Sequence, residues 1–563
     1  MYLIAILFLC AVVFFYGLGR APFVGPDEPR YAEVAREMYL SGDWVTPRLG
    51  GIGWFEKPAL TYWLLAVGYT LFGENEFAAR FGIAAVATFG ALLLYIFGRR
   101  AHSARFGYLS ASVLVTCGLW LGFARAVTCD LTLSVTIQTA LLSFFLWESK
   151  ESRVGTDRLW YVFCFALGLA TLAKGLVGVV LPAMIIAPYL ILTGAWKSLL
   201  KPRMIVPIIV GALIFLATAA VWYAPVIARN GGVFINEFFV GHHFQRYLSN
   251  KYRHPQPVYF FSLVAVAGSF PWSFYLLSFL ARQDFWVSLK RWRQASSEKT
   301  PDDLLQVFLL LWIVAPVVFF SFSGSKLPGY ILPIFPAVAL ITGRELERWW
   351  GDESRIPKAK ALGHLTAALV AAAGIAAAPL LQRELGVSAR GAWLLGSVAV
   401  LAPAIYLGLL FFKSGRVATL YLPIGLALIV ATATHMVFPS LGNRESLKSL
   451  SLAALHSARD SERLAFFINN DQGINFYAPG LPLRDGRSEL VITRSAEEIA
   501  ALAEAGRSQS VLIMTPMRWY DGLMNSPVLR VEKIGEQSFN VTCSPDCDWV
   551  LLRAQSSAAA ARP

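Results

Sequence analysis

Charge is scarce in this chain. Only 15% of its 563 residues are charged, and acids are the rarer sign, 36 Asp and Glu against 49 Lys and Arg. With 56% hydrophobic residues and so little charge, it has too little polar surface to cover a water-soluble globule. Its mean hydropathy of +0.55 is that of an integral membrane protein. Histidine and cysteine are also few, seven and six residues. Cys10, Cys117, Cys129 and Cys164 fall in or beside apolar runs and read as small buried hydrophobes. Cys543 and Cys547, in Thr-Cys-Ser-Pro-Asp-Cys-Asp, are expected to form a tight disulfide in an oxidising outer compartment. No P-loop and no Gly-rich dinucleotide turn occurs, so no nucleotide cofactor is expected. Nor is there a basic-aromatic stripe, which makes the net charge of +13 a topology signal rather than a nucleic-acid footprint.

What the chain does have is long apolar runs. About thirteen are long enough to be candidate spans, roughly 2–22, 77–98, 107–124, 131–147, 159–173, 175–193, 205–227, 258–280, 304–322, 328–342, 361–381, 392–412 and 417–438. The first has no small-residue cleavage site and no basic leader, so it reads as retained. Basic residues concentrate in alternate loops, among them Arg99, Arg100 and Arg105, then Lys150, Arg153 and Arg158, then Lys197, Lys201 and Arg203. Those loops are expected to be cytoplasmic. The loops near 20–76 and 228–257, and the tail, then lie outside. The expected architecture is an all-α polytopic membrane domain over 1–439 and a small α/β domain over 440–563. In that tail, 463–470, 510–515 and 548–553 read as buried strands and 495–505 as a helix.

The outer side also carries most of the chemistry-bearing residues. Gly25-Pro-Asp-Glu-Pro-Arg-Tyr31 follows the first run, and Asp27 and Glu28 lie where the chain leaves the membrane. An amphipathic helix follows them, with Tyr31, Val34, Ala35, Met38 and Tyr39 on its apolar face and Gly42 as its stop. Arg30, Glu33, Arg36 and Glu37 fall on the other face. Asp27 suits an N-cap, yet a cap needs neither Glu28 beside it nor further acids at the same depth. Trp54-Phe-Glu-Lys-Pro58 supplies Glu56 and Lys57, and a short turn supplies Asp130, with Arg125 as its expected local partner. Lys174 reads by default as a snorkelling lysine. The loop Gly241-His-His-Phe-Gln-Arg-Tyr247 offers His242, His243 and Arg246, and Ser325-Lys-Leu-Pro-Gly-Tyr330 offers Lys326 and Tyr330. Cations at a membrane surface suit a lipid phosphate, whereas carboxylates suit sugar hydroxyls or a proton transfer.

Taken in order, these motifs resemble the dolichol/polyprenyl-phosphate-mannose protein mannosyltransferase superfamily. Within it they resemble the bacterial branch that moves 4-amino-4-deoxy-L-arabinose from undecaprenyl phosphate to lipid A. The resemblance implies a GT-C fold and an inverting transfer from a polyprenyl-phosphate sugar. It implies that Asp27 is the essential acid of the first outer loop and Asp130 that of the second, with Glu28 among the catalytic acids. Lys57, Arg246 and Tyr330 match positions that hold the donor phosphate, and Lys326 belongs to the same group. Glu56 and His243 match a pair that holds a divalent ion, zinc, although His242 leaves open which ring would serve. A hydroxyl acceptor would use Asp27 as a general base; an ionised phosphate acceptor would leave it to orient the sugar. The implied partners are the undecaprenyl-phosphate-linked donor, lipid A and membrane lipids. A monomer in the bacterial inner membrane is expected, with the active site and C-terminal domain facing the periplasm. The competing readings are a related transferase for another sugar or acceptor, and a lipid-linked sugar flippase.

Overall fold

The computed structural model describes residues 1–149, 157–238, 256–280, 300–351, 356–412, 415–468, 473–485, 490–506, 508–537 and 548–557. The expected Cys543–Cys547 disulfide and the residues Arg246, His242 and His243 lie outside them.

Helices dominate up to Glu445. Six described helices are long and apolar enough to cross a membrane: Glu76–Ala101, Cys129–Glu148, Pro202–Phe238, Pro301–Ser321, Ala361–Glu384 and Ala389–Phe411. The chain is therefore a multi-span membrane protein. Among the described residues the number is six, or up to eight if two bent helix pairs each count as one span. Shorter apolar helices cover Tyr2–Phe15, Leu60–Phe72, Val177–Thr193 and Leu420–Met436. Of these, Leu60–Phe72 lies in the segment expected to be an outer loop.

The bent pairs have a physical logic. The run expected at 107–124 divides into α5 (Ala104–Thr116) and α6 (Gly118–Ala124) at an extended Cys117, with a 68° bend. The run expected at 258–280 divides into Phe260–Gly268 and Ser273–Phe279, bent by 114°. A broken helix frees backbone groups that cannot be left unpaired within a bilayer. Here the two breaks satisfy each other. The Gly118 N–H donates to the Phe270 carbonyl at 2.9 Å, and the Trp272 indole donates to Thr116 Oγ1 at 3.0 Å.

The tail forms a five-stranded sheet of β3 (Leu464–Phe467), β4 (Ile492–Thr493), β5 (Val511–Pro516), β6 (Leu529–Gln537) and β7 (Trp549–Ser556). Its order is β4-β3-β5-β7-β6, parallel on either side of β3 and antiparallel beyond β5. Every residue of β3 and β5 is buried, because both sheet faces are covered. Phe466, Leu512 and Met514 pack with Leu450 and Ile474 on one face; Phe467, Val511 and Ile513 pack with Ile499 and Ala503 on the other. The three runs read as strands each form one. The short β4 and the largely polar β6 carried too little apolar pattern to be read.

Candidate active site

The helix α2 runs from Asp27 to Ser41. Pro26 occupies its N-cap and Asp27 is its first residue, so Asp27 is not the cap. Gly42 ends the helix in the left-handed conformation that glycine adopts without strain. Tyr31, Val34, Ala35 and Met38 are buried, which makes the apolar face as expected. The opposite face is not a solvated one. Glu33 is buried against Arg36 at 3.1 Å, and the Glu37 carboxylate accepts the Gly50 and Gly51 N–H groups. These glycines join the two short strands β1 (Arg48–Leu49) and β2 (Ile52–Gly53).

Asp27 and Glu28, adjacent in sequence, part company in space. The Asp27 side chain is 51% exposed and forms an ion pair with Arg30 one turn along the helix. Glu28 is buried, and Arg80 of α4 (Glu76–Ala101) grips it with two hydrogen bonds of 3.0 and 2.7 Å. The Val24 and Val127 N–H groups donate to the same carboxylate. Arg80 then spends its remaining donors on the carbonyls of Leu18, Ala21 and Pro22. Both Glu28 oxygens are thus engaged in holding the loop. Sequence reasoning passed over Arg80, although an arginine inside an apolar helix demands a partner.

A second acid–base group lies next to Asp27. Arg30 reaches Glu56 at 3.6 Å, and Glu56 accepts from Lys57 Nζ at 2.6 Å. Glu56 and Lys57 are both buried. The Arg30 guanidinium also lies over the rings of Tyr31 and Trp54, each at 5.6 Å. Burial works against its charge, but Glu56, Tyr31 and Asp27 hold its pKa above the ordinary arginine value. The result is a relay of alternating charge, Asp27–Arg30–Glu56–Lys57, in which Arg30 is a member that sequence reasoning left on a solvated helix face.

Asp130 is in the first turn of α7 (Cys129–Glu148). Its partner is Lys174, at the end of α8 (Asp157–Lys174), and not Arg125. Arg125 instead donates to the carbonyls of Val13, Phe14 and Tyr16, which the end of the first apolar helix leaves unpaired. Lys174 also lies 5.1 Å from the centre of the Tyr330 ring. Gly329 is next to Tyr330, and a Cβ there would come within 2.9 Å of the Asp130 carboxyl carbon. The absence of a side chain at 329 is what lets this turn close over the acid. Lys326, buried, donates to the Gln256 carbonyl at 2.9 Å. It therefore ties down the chain just after the segment that carries His243 and Arg246. Cys129 lies within electrostatic reach of both groups, of Lys174 and Asp130 and also of Lys57 and Glu56.

The Glu56 carboxylate has the cations Lys57 and Arg30 beside it. A divalent ion placed there would compete with those charges. No group of three or more potential metal ligands occurs among the described residues.

Residues 56–222 match the dolichyl-phosphate-mannose-protein mannosyltransferase family. The chain superposes on ArnT of Cupriavidus metallidurans, a crystal structure with bound undecaprenyl phosphate, with a TM-score of 0.78. That match has 25% identity and covers 98% of this chain and 97% of the other. The chain thus shares the fold of that glycosyltransferase, and its matched segment is similar to the protein mannosyltransferase family. The chain is also similar to proteins named undecaprenyl phosphate-alpha-4-amino-4-deoxy-L-arabinose arabinosyl transferase. The one from Erwinia tasmaniensis is 32% identical over 351 residues, 62% of this chain and 60% of that protein. The one from Edwardsiella ictaluri is 28% identical over 488 residues, 84% of this chain and 82% of that protein. The match to the first of these relatives thus spans about three fifths of its length.

Proposed function

We propose that this chain transfers 4-amino-4-deoxy-L-arabinose from undecaprenyl phosphate to lipid A, with inversion at the anomeric carbon, on the periplasmic face of the bacterial inner membrane. The observation that carries this reading is the relay Asp27–Arg30–Glu56–Lys57, with Asp130–Lys174–Tyr330 next to it. Similarity to proteins named for that donor sugar supports the choice of substrate.

In this reading Lys57 meets the donor phosphate and stabilises the negative charge that grows on it as the sugar departs. Tyr330, Lys326 and Arg246 are assigned to the same phosphate. Glu56 keeps Lys57 and Arg30 charged and aimed. The positive charge that develops on the sugar ring falls beside Asp27, the one exposed carboxylate of the relay. Asp27 removes a proton from a hydroxyl acceptor, or orients the sugar and its amino group when the acceptor is a phosphate. Asp130, paired with Lys174 beneath Gly329, holds the turn that carries Tyr330.

The test is mass spectrometry of lipid A from cells that make the lipid-linked aminopentose but lack their own transferase. Expression of the unmutated chain adds the aminopentose, and the Asp27→Asn form, inserted at the same level, adds none. Aminopentose added equally by both forms sinks the assignment of Asp27. Lipid A left unmodified by the unmutated chain sinks the choice of sugar or acceptor.

A further inference from the structure

Tyr62 and Tyr69 stand two turns apart on one face of α3 (Leu60–Phe72), each 1% exposed. The Tyr69 hydroxyl is satisfied, donating to the Ala32 carbonyl of α2 at 3.0 Å. The Tyr62 hydroxyl has no hydrogen-bond partner among the described residues. Its ring meets the Tyr31 ring edge-on at 6.0 Å, and Tyr31 in turn lies beneath Arg30. Its hydroxyl lies within electrostatic reach of Glu56, Cys129, Arg30 and Asp27, which places it beneath the charge relay.

Three further groups in the segments of this site share this condition, as do others elsewhere in the molecule. Arg30 Nε, Trp54 Nε1 and Thr128 Oγ1 are also withdrawn from solvent and unpartnered. Thr128 occupies the N-cap of α7 yet makes no cap hydrogen bond with its side chain. The four groups come from the start of α2, the segment before α3, α3 itself and the turn into α7, the same segments that assemble the site. Native proteins rarely leave buried polar groups unpaired, and a cluster of them at a site points to a polar ligand that completes them.

The ligand must offer several small hydroxyl or amino groups beside a phosphate held by Lys57. That is the chemistry of a sugar on a lipid phosphate. We infer that the Tyr62 hydroxyl hydrogen-bonds a polar substituent of the donor's sugar ring and helps to determine which sugar is transferred. This rests on the donor class proposed above.

The experiment compares full-length wild-type protein with Tyr62→Phe, reconstituted in lipid nanodiscs. It measures transfer from undecaprenyl phosphate-aminoarabinose to lipid A, binding of sugar-free undecaprenyl phosphate, and the melting temperature without ligand. Tyr62→Phe is expected to lower kcat/KM by about 10- to 100-fold, the loss of one buried hydrogen bond. It should leave undecaprenyl phosphate affinity within about twofold. It should also raise the ligand-free melting temperature, because it deletes an unsatisfied buried hydroxyl. Transfer within about twofold of wild type overturns the inference. So does a lowered melting temperature, or a loss of undecaprenyl phosphate affinity that matches the loss of transfer, since either marks a structural role. A wild-type chain that binds undecaprenyl phosphate but transfers no aminopentose overturns the reading of the donor, and this inference with it.

Discussion

At the scale of the residue, neighbouring acids have opposite duties because their surroundings differ. Asp27 remains half in water with one cationic partner, free to change contacts during a reaction. Glu28 is enclosed by Arg80 and two backbone N–H groups. Removing one member of a buried ion pair strands the other, at a cost of about 3–5 kcal/mol. Glu28→Gln is therefore expected to lower the melting temperature of the purified protein by several degrees, whereas Asp27→Asn leaves it nearly unchanged. Equal melting temperatures for the two variants would count against the structural role of Glu28. Glu33 makes a separate prediction. Burial raises its pKa to about 7 against the opposing pull of Arg36, with Glu37 and Arg484 also close enough to act on it. The unfolded chain has an ordinary glutamate pKa of about 4.3, so between that value and about 7 the folded state holds a proton that the unfolded state has released. This contribution to stability is complete below the window and lost as pH rises through it. Melting temperature should thus fall between about pH 4 and pH 7, and Glu33→Gln should flatten the slope.

At the scale of the element, the site depends on helix ends meeting rather than on any one helix. α2 and α7 both present a carboxylate in their first turn, where the helix dipole favours negative charge. The turn Pro328–Ile334 reaches Asp130 only because residue 329 has no side chain. Gly329→Ala would push its methyl group into the Asp130 carboxylate and the Phe123 ring. The expected outcome is a loss of transfer of about tenfold or more with normal insertion and monodisperse purification, since a small misplacement near the chemistry is costly. Wild-type rates would show that the turn can shift without disturbing the acid.

At the scale of the whole molecule, the tail is bolted to the loop that leads into Asp27. The Phe23 N–H donates to Tyr477 Oη at 2.8 Å, and that hydroxyl donates to Glu76 at 3.2 Å. Lys448 pairs with the same Glu76, and Phe476 packs edge-on against Phe23 at 4.9 Å. The bolt closes four residues before Asp27. Tyr477→Phe deletes both hydrogen bonds while keeping the packing and leaves a buried N–H unpaired, at a cost of about 1–3 kcal/mol. It is expected to reduce transfer severalfold and to expose the 20–30 segment to faster backbone hydrogen exchange. Unchanged exchange there would mean that the tail does not brace the loop.

The properties that were legible in the sequence are those that depend on local pattern. Apolar composition announced the membrane, 3.6-residue spacing announced the buried face of α2 with its stop at Gly42, and apolar runs announced β3, β5 and β7. Which acids would meet which cations was not legible. Lys174 lies 44 residues from Asp130, and Arg80 lies 52 from Glu28. Arg125, the nearer candidate for Asp130, went to the carbonyls left open where the first helix ends. A buried charge takes whatever partner the packed helices bring within a few ångströms, and separation along the chain has no bearing on that. The bends at 117 and 269–272 followed the same logic, since the Gly118 N–H of one pairs with the Phe270 carbonyl of the other. Sequence alone determined that this is a membrane protein. Only the tertiary structure decided that Asp27 faces the solvent, that Glu28 holds the loop, and that the phenol of Tyr62 waits beneath them, because those outcomes depend on contacts between segments that no local pattern encodes.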